Sequence, residues 1–226
     1  MALKNNTWTL NNWYDQNVAG NVSYSGVASL FVWGANNNGS LGVNNTTEYS
    51  SPVQVPGTTW SSIDGGKSGV VALKTDGTIW SWAGNNRGQL GQNNTTTYSS
   101  PKQVGSGTDW SKIKMGHYTT VAINTDGELW SWGYNSRGQL GQNNLTNYSS
   151  PVQIPGTTWE TANAGVACVG GVKTDGTLWV LGENAYGQLG QNQPDNTSYS
   201  SPVQIPGTSW SEVSPGYYFV YATQLK

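Results

Sequence analysis

Hydrophobic and polar positions along this chain alternate in short runs, and the runs return at a fixed spacing. From Val70 to Lys74 apolar and small residues lead into Thr75-Asp76-Gly77, and Thr78-Ile79-Trp80-Ser81-Trp82 then resumes a period of two. Such alternation predicts β-strands. Asp-Gly between two of them predicts a hairpin, because the tight turn needs a positive φ that glycine adopts freely. The same device recurs at Asp126-Gly127 and Asp175-Gly176. After the hairpin comes a Gly/Asn-rich loop, NNRGQLGQNN from Asn85 to Asn94, whose Leu90 is the apolar residue placed to plug back into a core. A YSSP step then predicts a short edge strand with proline at its start, where no ladder donor is needed. No stretch carries a helical pattern.

Aligned by eye, the chain spells this unit four times. Trp33, Trp82, Trp132 and Leu181 share one register; Tyr49, Tyr98, Tyr148 and Tyr199 share a second; Trp60, Trp110, Trp159 and Trp210 share a third. A period of about fifty residues is the mark of a blade or coil array, in which each unit buries its apolar face against its neighbours. The expected architecture is therefore all-β, with three or four short antiparallel strands per unit and one long surface loop. Residues 22–226 form the repeat domain. Residues 1–21 lie outside it, and their Trp8, Trp13 and Tyr14 make either an aromatic anchoring arm or a cap on the first unit. The phase of the repeat differs at its two ends. Leu30-Phe31-Val32-Trp33 reads as the second half of a hairpin, and Tyr218 to Thr223 as the first half of another. A strand from the one can complete the blade begun by the other, within a chain or between chains, which would remove exposed edges.

Composition changes the picture in three ways. Only 10% of the residues are charged and the net charge is -2, so nucleic acid is not an expected partner, since neutralising phosphates takes clustered Lys and Arg. Thirty Gly and nine Pro would suit disorder, but twelve Trp and twelve Tyr recur in register, and their rings supply the core. One cysteine, Cys168, leaves no internal disulfide; it sits in Val166-Ala167-Cys168-Val169 and reads as a small buried side chain. No window approaches the apolar run that a membrane helix needs, and no secretory leader is visible, so neither membrane insertion nor signal-directed export is expected.

Candidate chemistry is sparse. Asp76, Asp126 and Asp175 are read as turn residues rather than metal ligands, and no metal or cofactor is expected. His117 has no triad partners in sequence and reads as a surface or loop histidine. The remaining carboxylates show no paired pattern, so an enzyme is not expected. The framework indoles Trp60, Trp82, Trp110, Trp132, Trp159 and Trp210 read as core. The loops that differ between units are the better candidates, since binding residues gather on loops held by a rigid scaffold and Tyr and Arg are common interface anchors. Arg87, Tyr134, Arg137 and Tyr186 are the predicted contact residues.

The stretch Trp130 to Asn144, WSWGYNSRGQLGQNN, and its fellows resemble the RCC1-like repeat family. The resemblance rests on Gly34, Ala83, Gly133 and Gly182 after the strand, on Asn36, Asn85, Asn135 and Asn184 two residues later, and on the G-x-L-G steps at Gly39, Gly88, Gly138 and Gly187. It implies a β-propeller. Family members usually have seven blades and this chain encodes four units, which leaves a small closed ring, an open arc or a ring completed by oligomerisation. The family's functions run from nucleotide exchange to enzyme inhibition and binding platforms; no basic tail supports the first. The near-identical Asn/Thr/Ser-rich units behind a short aromatic start resemble, in style, virion proteins of tailed phages. The expected function is thus a non-catalytic structural or binding module of a phage particle, facing other virion proteins or a host-surface protein or glycan. A cytoplasmic interaction platform or enzyme inhibitor is the alternative, and a homo-oligomer is compatible with either.

Overall fold

A computed structural model describes residues 28–192 and 197–225. Trp8, Trp13 and Tyr14 lie outside the described residues. All the regular structure described is β. Strands β1 (Phe31–Gly34) and β2 (Tyr49–Gln54) form a two-stranded sheet. Three four-stranded antiparallel sheets follow: β3 (Trp60–Gly65), β4 (Gly69–Lys74), β5 (Ile79–Ala83) and β6 (Tyr98–Gln103); β7 (Trp110–Met115), β8 (Thr119–Asn124), β9 (Leu129–Gly133) and β10 (Tyr148–Gln153); β11 (Trp159–Ala164), β12 (Cys168–Lys173), β13 (Leu178–Gly182) and β14 (Tyr199–Ile205). Strands β15 (Trp210–Pro215) and β16 (Val220–Gln224) close the order as a second two-stranded sheet.

Within each sheet the strands meander in sequence order, and successive sheets touch through their first two strands, β3 and β4 on β7, β7 and β8 on β11, β11 and β12 on β15. This is the blade arrangement of a β-propeller, with β3, β7, β11 and β15 innermost. The described chain is an arc of three complete blades flanked by two half-blades.

The core lies between blades rather than inside them. One cluster joins Val71 and Ile79 of one blade to Ile113, Met115 and Trp132 of the next, and another joins Val121 and Leu129 to Trp159, Val169 and Leu181. Each central strand is consequently covered on both faces. The period of two read from Thr78 to Trp82 does not survive as an inside-outside pattern: Ile79, Ser81, Trp82 and Ala83 are all buried, and so is the whole of β8. A blade packed on both sides has no solvent face for its central strands to alternate with.

The hairpins form as expected. Gly77, Gly127 and Gly176 have φ of 76°, 73° and 76°. At the first, the Gly77 amide donates to the Lys74 carbonyl and the Lys74 amide to Thr78, a type I turn closed by a glycine bulge. The proline of the YSSP step sits inside the edge strand, not at its start. Between Ser81↔Lys102 and Ala83↔Tyr98 the ladder slips, and Pro101 falls in the slipped stretch, where a missing amide breaks no regular bond.

Of the framework indoles, Trp60, Trp82, Trp132 and Trp159 are buried, while Trp110 and Trp210 are half-buried. Trp60 packs edge to face on Trp80 and Trp82 at centroid distances of 6.2 and 6.0 Å. Such pairs add roughly 0.5–1.5 kcal/mol beyond the area they bury.

Candidate functional site

The long loops after β5, β9 and β13 are built by buried amides. Asn85 Oδ1 accepts the Leu90 amide at 2.9 Å while its Nδ2 donates to the Asn94 carbonyl, and Asn135 repeats both bonds with Leu140 and Asn144. Asn184 accepts the Leu189 amide in the same way. Leu90, Leu140 and Leu189 plug into the core as expected, all fully buried. The glutamine of each G-Q-L-G step then fixes the residue that faces solvent: Gln89, Gln139 and Gln188 accept the backbone amides of Arg87, Arg137 and Tyr186 at 2.8–2.9 Å. Three predicted contact residues thus stand at the same place on three successive blades, each held by the same glutamine-to-amide bond; Gln89 Nε2 also donates to the Gly84 carbonyl, whereas Gln139 Nε2 and Gln188 Nε2 have no partner among the described residues.

Those loops converge with the turns joining the first two strands of neighbouring blades on one rim. Together they enclose a cleft of about 550 Å³. All four predicted contact residues line it, joined by His117, Tyr118, Glu183, Tyr217 and Tyr218. The contacts form a relay from blade to blade. The Arg87 guanidinium lies over the Tyr134 ring, 5.1 Å from its centroid, and Tyr134 meets Tyr118 edge to face at 6.4 Å. Arg137 Nε pairs with Glu183 Oε1 at 3.0 Å, and Tyr186 packs against Tyr218 at 4.5 Å. The Arg137 side chain remains 56% exposed, so the ion pair contributes on the order of 0–1 kcal/mol and leaves the guanidinium available to a ligand.

Sequence reasoning missed Tyr217, took Tyr218 as the start of a strand, and read His117 as a surface or loop histidine. A signal was present. The turns Gly66-Lys67-Ser68, Gly116-His117-Tyr118, Gly165-Val166-Ala167 and Gly216-Tyr217-Tyr218 occupy one register and vary as the long loops do.

Partial burial, with the Lys67 charge behind it, holds the His117 imidazole below its ordinary pKa, so it is neutral at neutral pH. Hydrogen bonding with Tyr217, ahead of desolvation, raises the Tyr218 phenol to about 12 and keeps it un-ionised. Among the described residues Glu183 is the one carboxylate lining the cleft, and it is engaged by Arg137. The TDG aspartates serve their turns: Asp76 Oδ1 accepts from the amide and hydroxyl of Thr78 at 3.0 and 2.6 Å, which lowers its pKa, and Asp175 does the same with Thr177. At the third turn Asn124 Oδ1 instead accepts the Glu128 amide. Among the described residues no three metal-ligating side chains gather. No described helix is long and apolar enough to cross a membrane.

Cys168 is buried, and desolvation, with Glu183 adding to it, pushes its thiol up to about 12. Iodoacetamide in mildly alkaline buffer is therefore expected to leave it unmodified in the folded chain and to alkylate it in urea. Native labelling at the rate of a free thiol would contradict this burial.

Fold and rim together define a β-propeller whose loops carry a polar, aromatic cleft. The chain belongs to the RCC1 repeat family: the repeat described as Regulator of chromosome condensation (RCC1) matches residues 28–73, 76–123, 126–168 and 175–223, and a second RCC1 repeat profile matches 110–139. Among solved structures it is similar to human WBSCR16, at 20% identity and a TM-score of 0.75 over 88% of this chain and 54% of that one. It is also similar to yeast RCC1 (Prp20) bound to Kap60, at 18% identity and a TM-score of 0.74 over 88% and 51%. A further structure of Prp20p from Saccharomyces cerevisiae, described with its binding to Gsp1p and histones, matches at 18% identity, a TM-score of 0.74, and 88% and 52% coverage. The chain thus spans about half the length of these structures, and the likeness at such identity is one of fold. Among curated proteins none matches the chain.

Proposed function

We propose that this chain is a non-catalytic binding module that holds a protein or glycan partner in the rim cleft. The observation that carries the reading is the convergence of Arg87, Tyr134, Arg137 and Tyr186 in one cleft, three of them held by the same glutamine-to-amide bond while the presented side chains differ. Tyrosine faces offer stacking with little side-chain entropy to lose, and a guanidinium offers directed hydrogen bonds to a ligand. Proteins of this fold include one whose structure was solved bound to Kap60. The setting we favour is a phage particle, where the module would sit as a capsid, tail or fibre-associated component facing virion proteins or the host surface. Its support is the Asn/Thr/Ser-rich repeat style and the aromatic N-terminal segment. A cytoplasmic interaction platform is the second reading, favoured by the fold neighbours that bind proteins.

The test is the paired variant Arg137→Ala/Tyr186→Ala, assayed on purified phage particles, on a glycan array and against host lysate. Binding to one of these is expected to fall at least about tenfold, the effect of losing interface anchors, with the melting temperature held. Equal binding by the variant would remove the cleft from the account. Particle binding separates the virion setting from the cytoplasmic one.

A further inference from the structure

The two half-blades are complementary halves of one blade. In β15–β16, Trp210 faces Gln224 and Val213 faces Ala222, as Trp60 faces Lys74 and Ile63 faces Ala72 in β3–β4. In β1–β2, Phe31 faces Gln54 and Gly34 faces Tyr49, as Trp80 faces Gln103 and Ala83 faces Tyr98 in β5–β6. One sheet therefore has the inner pair of strands and the other the outer pair. Among the described residues neither β16 nor β1 has a neighbour on its far side.

The same edges carry the exposed aromatic surface. Trp33 is 61% exposed and Tyr221 68%, and Phe31 and Phe219 are about half exposed, whereas Trp82 and Trp132, the register mates of Trp33, are fully buried. An unpaired edge with a row of bare rings is the surface that pairs with another strand.

We infer that a second copy of this chain fills these edges, its β1 pairing antiparallel with β16, so that two copies close head to tail into one ring. The β4–β5 ladder fixes the register: Val220 opposite the second copy's Trp33, Tyr221 opposite its Val32, and Ala222 opposite its Phe31. The socket for that indole exists. Trp82 Nε1 donates to the Ser40 carbonyl at 3.0 Å and Trp132 Nε1 to the Gln89 carbonyl at 2.9 Å, each over a glycine, Gly42 or Gly91, whose absent Cβ would lie 2.8 Å from the ring nitrogen. At the fourth place Gly190 meets, among the described residues, just Ile205 Cδ1, and the Gln188 carbonyl is in register to receive Trp33. Neighbouring glycines agree. A Cβ on Gly39, Gly88 or Gly138 would strike the serine Cα of the next blade at 2.5–2.7 Å, whereas Gly187 has nothing described within 4 Å.

A second copy fits better than closure within one chain. The arc superposes on about half of much longer propellers, so its curvature is that of a larger ring, and β1 and β16 stand in separate sheets. Each copy brings three complete blades, and each of the two junctions makes one more. The resulting ring of eight lies within the range that propellers adopt. A heterologous junction used twice closes about a two-fold axis.

The pairing also completes the rim. The Tyr134 amide donates to the Tyr118 carbonyl at 2.9 Å, and the matching bond across the junction runs from the second copy's Ala35 to Tyr218. The second copy's loop from Ala35 to Asn38 then walls the end of the cleft beside Tyr186.

The test uses the full chain carrying Cys168→Ala, with Phe31→Cys in one preparation and Ala222→Cys in another. Mixed and oxidised, they are expected to give an interchain disulfide that neither gives alone, and the unaltered chain is expected at twice its own mass in solution. Trp33→Asp, a change at a residue exposed in the single copy, should halve that mass while leaving the far-ultraviolet spectrum unchanged. A monomeric mass for the unaltered chain, whether residues 1–27 cover the edges or nothing does, overturns the proposal. So does a disulfide formed inside one chain bearing both cysteines, or an open-ended polymer.

Discussion

Replacing Trp132 with alanine is expected to lower the unfolding free energy by about 3–5 kcal/mol, the range for truncating a buried aromatic. The side chain is fully buried where two blades meet, against Val71, Ile79, Val104 and Met115. Its Nε1 donates to the Gln89 carbonyl, which also accepts the Thr120 hydroxyl at 2.8 Å, so truncation leaves both a cavity and a weakened polar junction. Leu181 occupies the matching place in the next blade and is just as buried, which shows that an aliphatic side chain can fill such a socket. Trp132→Leu should accordingly recover part of the loss. Urea unfolding followed by fluorescence measures both, and a cost for Trp132→Ala below about 1 kcal/mol, out of line with a buried aromatic, would contradict the inter-blade core.

Gly116→Ala tests the next junction along the arc, between the β7–β10 and β11–β14 blades, at the rim. The added methyl would lie 2.1 Å from the Gly165 carbonyl oxygen and 2.8 Å from that of Ala164. Both obstacles are backbone, so neither can rotate away. The His117 amide bonds to that Gly165 carbonyl at 3.1 Å, and pushing the blades apart breaks the bond. A cost of about 3 kcal/mol, at the upper end for overpacking, is expected, together with loss of partner binding because His117 and Tyr118 line the cleft. Gly105→Ala is the control: its φ of 60° carries strain of roughly 1–2 kcal/mol, but nothing described lies within 4 Å. Equal effects from the two substitutions would sink the claim of close approach between blades.

Much of this fold was legible in the sequence because its decisive features are local. Asp76-Gly77 specifies a turn by backbone preference, Leu90 is the sole apolar residue of its loop, and the recurrence of Trp82 and Trp132 announces a repeated socket. What was misread depended on neighbours. The alternation from Thr78 to Trp82 predicts a strand but not how its two faces are covered, and only the adjoining blades reveal that both are packed. A strand interior usually demands the amide, which points Pro101 to a strand start, and the slipped ladder lifts that demand. The grouping of Arg87, Arg137 and Tyr186 is foreseeable from their shared register, and that of Tyr134 from its place in the same loop as Arg137, whereas Tyr217 and Tyr218 come from the turn between β15 and β16, close only once the blades are stacked.

The seam between blades has an evolutionary corollary. Each socket is made by one unit and filled by the next, at positions that hardly differ from copy to copy. Unequal crossover between such similar stretches of the gene would add or delete a whole unit in frame and still leave every internal joint correctly mated. Copy number can therefore drift while the presented rim side chains are selected separately, a route by which one inherited part could yield binders of many spans.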